Sequence, residues 1–586
     1  MRRACGRLLA GVGLFLALAP VARAETAPSP ASAAAVPAAP IAAQAPLQNA
    51  DTDIRILPLV TLSNAGAFRL RVNAFFQPEL GLPAASAEAA ADPCLPASST
   101  ANDRLQSLRD ERTAVVSANL RLRWEPTLRV AEIVTVHAVV DALDNLVLGQ
   151  APTTDAVAAP LSVFSRSQRS PNLLSVFRGS LRIKAAWAEL NLFDIVHLAG
   201  GRMPEHFGLG IVRNGGRDPD SDFGDWVDGV YGKINLGITW LRFGLEFPGE
   251  GVTSDGPYGY YVSPYDLDQS DDAYRWVFGV DTTPSRPAEF DRRAKLLAGF
   301  QPVWDWGFYN AITQQKVSSE VLADSASEAG TQVDVNELGY DDLTLVPRDA
   351  FFWTPSLWGK VQYKPRADMT LRVEAELAMT YGWVDQVQSS MEETKSRKEF
   401  LSFGGALEAQ LDFGQNQVKF LGGAASGGNT LGAWGILDQH TLAPPSSACY
   451  DLQHASVYRT KNIHHFVFNR DYRIDSILFR EVIGSVTNAF YFKPSYDRIF
   501  LDSGDWKVGG GLSLMAAFAS IPEGTPGGRR PLGVEAGLDL WAKWGRYMSL
   551  RLDGAVLFPL SGLDDPAIEG SPQTAGAIRF QSIASF

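Results

Sequence analysis

Stretches of about ten residues in which apolar and polar side chains alternate recur through this chain of 586 residues, and no long apolar helix follows the N-terminus. That pattern narrows the fold sharply. Lipid cannot hydrogen-bond a bare backbone, so a chain that crosses a bilayer does so as helices or as a closed barrel. Successive side chains of a strand point to opposite faces, so each stretch can be read face by face. From Phe68 one face carries Phe68, Leu70, Val72, Ala74 and Phe76, and the other Arg69, Arg71, Asn73, Phe75 and Gln77. From Thr239, Leu241, Phe243, Leu245 and Phe247 oppose Trp240, Arg242, Gly244 and Glu246. From Leu371, Val373, Ala375, Leu377, Met379 and Tyr381 oppose Arg372, Glu374, Glu376, Ala378 and Thr380. From Val534, Ala536, Leu538, Leu540, Ala542 and Trp544 oppose Glu535, Asp539 and Lys543. The period is two, not the 3.6 of a helix.

A soluble β-sandwich would alternate in the same way. Two features separate the cases. Charge is admitted on one face only, across many strands. Connection lengths also alternate: Trp124–Thr127, Phe193–Asp194, Lys364–Asp368, Gly414–Asn416 and Gly545–Arg546 read as tight turns. Between them lie long stretches at 81–111, 143–179, 209–225, 249–271, 318–350 and 427–465. Short periplasmic turns and long outer loops are the barrel arrangement. With the first strand starting at the periplasm near residue 67, every short turn and Phe586 fall on that side. The expected fold is all-β, a large transmembrane antiparallel β-barrel of about 16–18 strands. Residues 293–317 read as one bent strand or two. Trp124, Trp240, Trp353, Trp358, Trp383, Trp544, Tyr381 and Tyr547 lie near strand ends, as interface girdles require.

The N-terminus has the parts of a secretory signal: Arg2, Arg3 and Arg7, the apolar run Leu8–Ala19, and the small-x-small site Ala22-Arg23-Ala24. The expected organisation is a signal peptide over 1–24, an Ala/Pro-rich disordered periplasmic leader over 25–60, and the barrel over 61–586. The net charge is −13, and loss of Arg2, Arg3, Arg7 and Arg23 takes the mature chain near −17, which argues against nucleic acid as a partner. Cys94 and Cys449 fall in predicted long loops on one side. A disulfide between them and two separate thiols both remain open, because sequence fixes no distance.

The alternating strands, the signal peptide and the terminal Phe586 resemble those of Gram-negative outer-membrane porins and porin-like barrels, including a myxobacterial-type subgroup. The last strand, with Ile578, Phe580 and Phe586 on one face, is similar to their assembly signal, although Ser582 and Ala584 stand where bulkier residues are usual. Gly201-Arg202-Met203-Pro204 followed by Phe207-Gly208-Leu209-Gly210 is similar to a glycine-arginine stretch common in such barrels. The resemblance implies an architecture and the cell outer membrane, with lipid, lipopolysaccharide and the barrel-assembly machinery as partners, but no particular solute.

Pore-lining candidates follow from the alternation. Arg69, Arg71, Arg121, Arg123, Arg129, Arg242, Lys360, Arg372 and Arg551 are predicted to face inward, with Glu246, Glu374, Glu376, Glu408, Asp412, Glu535, Asp539 and Asp553. Mixed charge in a wet lumen sorts polar solutes, whereas charges paired across strands would only stiffen the wall. His137 and Asp141, four apart on one face, are placed to pair. Arg217–Asp225 has aspartates at alternate positions like a calcium loop, but lacks Gly at the sixth position and Glu at the twelfth, which is Gly229, so a solvated acidic loop is expected. His440, Cys449, His454, His464 and His465 share one long loop without a metal-binding spacing. Asp471–Val486 places Ile474, Ile477, Leu478 and Val482 at helical spacing, which reads as a short helix against the wall or in the pore, or as a bulged strand. No nucleophile elbow, phosphate loop or zinc-protease motif is present, and no cofactor is called for. The functional expectation is passive diffusion of small hydrophilic solutes. A structural or surface-binding barrel with a plugged lumen, and a polysaccharide or protein export barrel, are the alternatives.

Overall fold

Strand ladders account for nearly all regular structure in the computed structural model. It describes residues 54–586 apart from 58, 78–79, 81–113, 132, 148–180, 194, 217, 250–269, 283–301, 322–342, 367, 386–396, 429–461 and 565–570. The short β1 (Ile54–Leu57) pairs with the start of β2 (Val60–Phe76). Then follow β3 (Ala114–Val130), β4 (Val134–Val147), β5 (Leu181–Leu192), β6 (Val196–Pro204), β7 (Trp226–Asn235), β8 (Trp240–Gly249) and β9 (Ala273–Asp281). The next are β10 (Val303–Val321), β11 (Leu343–Arg366), β12 (Met369–Val384), β13 (Lys398–Phe413) and β14 (Asn416–Ala425). After the two-residue β15 (Asn462–Ile463), which lies parallel to β13, come β16 (Ala489–Asp502), β17 (Trp506–Ala519), β18 (Pro531–Trp544), β19 (Met548–Pro559) and β20 (Ala575–Ser585).

Leaving out β1 and β15, each strand pairs antiparallel with its chain neighbour, β14 with β16, and β20 with β2. Among the described residues this makes a closed antiparallel barrel of 18 strands, the porin-like architecture expected from the sequence. The seam is secured at the C-terminus. Gly66 and Phe586 exchange two backbone hydrogen bonds of 3.0 Å. A Cβ on Gly66 would sit 2.4 Å from the Phe586 ring, so only glycine fits beneath it.

Every alternation read from the sequence has its predicted sense. Phe68, Phe243, Leu377 and Leu538 are exposed on the outer face, while Arg69, Arg71, Glu246, Glu374, Glu376 and Glu535 are buried on the inner one. The short connections all lie at the end that carries Phe586, with one long exception, 282–302. Residues 303–317 belong to one strand, β10, and 293–301 lie outside the described residues. So do the signal peptide, the leader up to 53, Cys94, Cys449, His440 and His454.

Two expectations are corrected. Trp124–Thr127 is not a turn but mid-β3. Pro126 stands opposite Asn64 on β2, and the ladder to β4 skips positions 125 and 126, as the missing proline N–H requires. The turn comes at 131–133, where Ala131 takes a left-handed φ of 52°. Trp358 is not a girdle residue. It is buried on the inner face, and its indole N–H donates to Glu374 at 2.9 Å.

Leu538 is outward, mid-strand and 52% exposed. Leu538→Arg should reduce stability in vesicles by about 2–4 kcal/mol, as a cation near the midplane of a barrel wall does. Urea titration of the inserted protein measures this, and an unchanged midpoint would contradict a lipid-facing row.

Candidate functional site

The inner wall of β2 and β3 concentrates positive charge. Arg69 and Arg71 share a face because they are two apart, and Arg121 is the direct cross-strand partner of Arg69. Like charges placed opposite one another repel. The counter-charge for Arg69 and Arg71 is Asp222, 153 and 151 residues away, in the 205–225 segment between β6 and β7. Arg71 grips Asp222 with both terminal nitrogens, at 3.0 and 3.1 Å, and Arg69 reaches the same carboxylate at 3.0 Å. Arg121 donates to the carbonyls of Ser221 and Pro219, both at 2.7 Å. Arg123 holds Asp141 of β4 with two bonds of 2.8 Å and reaches the Gly216 carbonyl at 3.2 Å. These arginines are inward on the wall, so 205–225 is folded into the barrel.

A second segment, 464–488, meets the first there. Arg473 donates to Asp220 at 3.0 Å and to Asp222 at 2.8 Å. Arg480 and Gln581 also reach Asp220, at 3.3 and 2.6 Å. The Asp471 carboxylate accepts from the backbone N–H groups of Asp222, Phe223 and Gly224 at 3.1, 3.0 and 2.7 Å, and from the Ser221 hydroxyl. One residue of the second segment therefore caps a whole turn of the first. The turn is tight: a Cβ on Gly216, whose φ is +60°, would sit 2.4 Å from the Gly224 Cα.

Wall carboxylates hold both segments by their backbones. Glu376 on β12 accepts from Gly210 N and Ile211 N at 3.0 and 3.3 Å, and from the Ser356 hydroxyl at 3.0 Å. The glycine-rich stretch singled out in the sequence thus opens the first inserted segment. Glu535 on β18 accepts from Ser476, Ile477 and Leu478 N–H groups at 2.8, 3.1 and 3.1 Å. This seats the single helical turn Leu478–Val482, whose Leu478 and Phe479 are buried. The helix expected over 471–486 is reduced to that turn.

The remaining wall charges are engaged locally. Glu246 accepts from Arg213 at 2.7 Å, from Arg275 at 2.8 Å and from the Tyr231 hydroxyl, while Arg242 pairs with Glu205. Arg372 pairs with Glu374, and Lys360 stands in register between Asp305 and Glu374. Glu408, directly opposite Glu374, accepts from the Tyr472 hydroxyl at 3.1 Å. Asp412 accepts from Gln410 and Gln417, and Arg551 donates to Asp553 at 2.6 Å. Asp539 faces Asp553 across the β18–β19 pair, and Arg129 is half-buried toward the short-turn end of β3.

Two readings change. His137 does not pair with Asp141, because Arg123 occupies that carboxylate. His137 instead stacks on Trp187 at 4.5 Å and lies 3.7 Å from Glu189. The acidic loop is neither a calcium loop nor a solvated one: Asp222 is 1% exposed and gripped by arginines. Among the described residues no His, Cys, Asp and Glu cluster suits a metal. The His464 ring donates from Nδ1 to the Leu401 carbonyl at 2.9 Å. Sequence reading missed Arg473, Asp471, Asp220 and Asp222 as site residues, because their partners are distant in the chain. Arg579 was readable, since it lies between outward Ile578 and Phe580; it is buried and donates to Asn73 at 2.8 Å and to Glu481 at 3.3 Å.

Burial opposes ionisation of Asp222, but the guanidinium groups of Arg71, Arg69 and Arg473 outweigh it and hold the carboxyl well below the usual range. Burial likewise opposes ionisation of Asp220, and Arg71, Arg480 and Arg473 prevail.

No family model matches the chain, and no curated protein matches it. Among solved structures it is similar to Pseudomonas aeruginosa OccK11 (OpdR), at 11% identity and a TM-score of 0.43, over 89% of this chain and 96% of that one. Acinetobacter baumannii OccAB2 aligns at 8% identity and a TM-score of 0.44, over 89% of this chain and 98% of that one. Pseudomonas aeruginosa OccK2 (OpdF) in complex with glucuronate aligns at 9% identity and a TM-score of 0.40, over 89% and 98%. Likeness this remote assigns neither a family nor a solute, and does not bear on the myxobacterial-type subgroup.

Asp222→Ala should leave three buried guanidinium groups short of a counter-charge. Breaking a buried ion pair costs about 3–5 kcal/mol, so 205–225 should become protease-sensitive while the barrel keeps its β-sheet circular dichroism. The acid response has a defined sign. A lowered carboxyl pKa contributes stability that is complete above the unfolded value of about 3.9 and is lost only as pH falls below it. The part of the protection of 205–225 that Asp220 and Asp222 supply should therefore be flat from about pH 5 to 8, so the gap in protection between wild type and Asp222→Ala should persist across that range. A gap that closes by about pH 6 would contradict the assignment.

Proposed function

We propose that this chain is an outer-membrane channel for passive diffusion of small hydrophilic solutes, with the 205–225 and 464–488 segments forming its constriction. The observation that carries this reading is the sorting of side chains by face. Apolar rows cover the outer wall, and arginines with carboxylates line the inner one. A barrel of 18 strands is wide enough to hold a water-filled passage. Fixed charges of both signs beside a narrowed passage discriminate solutes by charge and dipole. The final strand ending at Phe586 would be the part offered to the barrel-assembly machinery, and lipopolysaccharide would surround the long-loop end. A catalytic role is no part of this reading.

The plugged-barrel reading has one observation in its favour. Both inserted segments are held by buried charge pairs and backbone-capping carboxylates, which are costly to break.

Single-channel recording in planar bilayers separates the two. Purified protein should give stable conductance steps, and Asp471→Ala should enlarge or destabilise them by releasing the cap on 222–224. A silent wild type that conducts only after removal of 471–486 would instead establish the plug. Liposome swelling with sugars of graded size should then report the exclusion limit.

A further inference from the structure

The outer wall is not uniformly filled. Across β4–β9 the outward rows run in register, with Ala188 opposite Gly200, Gly200 opposite Val230, and Leu198 opposite Gly232. Ala188, Gly200 and Gly232 bring almost no side chain to this surface. Leu198 and Val230 rise beside them, and Phe243, Trp276 and Phe278 rise on the far side, all of them exposed. Phe243 and Phe278 stand edge to face, with centroids 6.4 Å apart. The result is an apolar groove of about 710 Å³ in the wall, a volume typical of small-molecule sites.

The next outward row toward the long loops is charged. Arg202 lies two residues beyond Gly200, directly opposite Asp228, which lies two residues before Val230. Arg202 grips Asp228 with two hydrogen bonds, the Nε bond at 2.7 Å, and the two side chains are 53% and 44% exposed. A charge on the lipid face costs about 2–4 kcal/mol at the midplane but only about 0–1 near the interface. The pair therefore marks the headgroup level, and the groove one row below it lies in the acyl layer. Two residues of strand rise about 7 Å, so a lipid with its phosphate at Arg202 has its chain at the groove.

We propose that this groove retains one phosphorylated, acylated lipid of the outer leaflet, with a chain against Ala188, Gly200 and Gly232 and a phosphate on Arg202. The proposal rests on the outer-membrane reading, which places the long-loop end of β6 outward. Arginine suits the role because its planar fork binds phosphate through paired, charge-assisted hydrogen bonds. Asp228 holds that fork at the wall and competes with the phosphate for it.

Native mass spectrometry of the full-length barrel in mild detergent tests this, with lipid A as the probe and diacylglycerol, which has acyl chains but no phosphate, as the rival. Wild type should retain one lipid A per barrel in preference to diacylglycerol. Gly232→Leu fills the groove; its Cβ meets only Leu198, at 3.5 Å, so the fold should tolerate it. Retention should then fall at least about tenfold, and Arg202→Gln should lower it similarly, the factor one charge-assisted hydrogen bond is worth. Asp228→Asn should keep or strengthen it. Gly554→Leu, on β19 with nothing near its Cβ, should change nothing. Equal retention by wild type and both Gly232→Leu and Arg202→Gln overturns the proposal, as does equal retention of the two lipids. Arg202→Gln keeps the test valid if Gly232→Leu fails to fold. A barrel that conducts in bilayers but retains no lipid sinks this inference alone, whereas one that never enters vesicles sinks the channel reading with it.

Discussion

Closure of the hydrogen-bond ladder between β2 and β20 is what every other feature depends on. On the outer-membrane reading, an open edge would leave a row of backbone N–H and C=O groups facing hydrocarbon, at several kcal/mol for each unsatisfied group. Closure removes that edge and turns one sheet into an inside and an outside. The seam needs Gly66, because the terminal Phe586 ring lies where any larger residue would put its Cβ. With the ring closed, the two faces of each strand have separate solvents, and side-chain alternation becomes a sorting rule.

The inside face then faces an electrostatic difficulty of its own. Arg69, Arg71 and Arg121 crowd one patch, and a wall alone would have to leave them to water. The chain instead supplies Asp220 and Asp222 from one inserted segment and Arg473 and Asp471 from another. Each inserted backbone also exposes N–H groups that need acceptors, and Glu376, Glu535 and Asp471 provide them. Exposed ion pairs contribute at most about 1 kcal/mol. These are buried, so removing one partner is far more damaging than the bond count suggests. Position and charge of the two inserted segments are thus set together by the same side chains.

Much of this was legible in one dimension. The outward rows from Phe68, Leu241, Leu371 and Val534 and the inward Arg71, Glu246, Glu376 and Glu535 follow from period two alone, since a strand cannot place neighbours on the same face. Errors arose where a local rule met tertiary context. Glu125-Pro126 has turn chemistry, yet β3 runs through it because β2 supplies a partner strand and the proline needs no ladder bond on its β4 side. Arg217–Asp225 has the look of a solvated acidic loop, yet Asp222 is buried because three arginines await it.

What the sequence determined by itself is the fold class, the sense of each face and the inward set of charges, because alternation and turn spacing are properties of neighbours in the chain. What only the tertiary structure decided is which of those charges meet. Arg71 and Asp222 are 151 positions apart, and Asp471 and Gly224 are 247 apart. No local pattern encodes such pairings. They exist because closure of the barrel brings distant connections into one enclosed space, where each buried charge must find a partner.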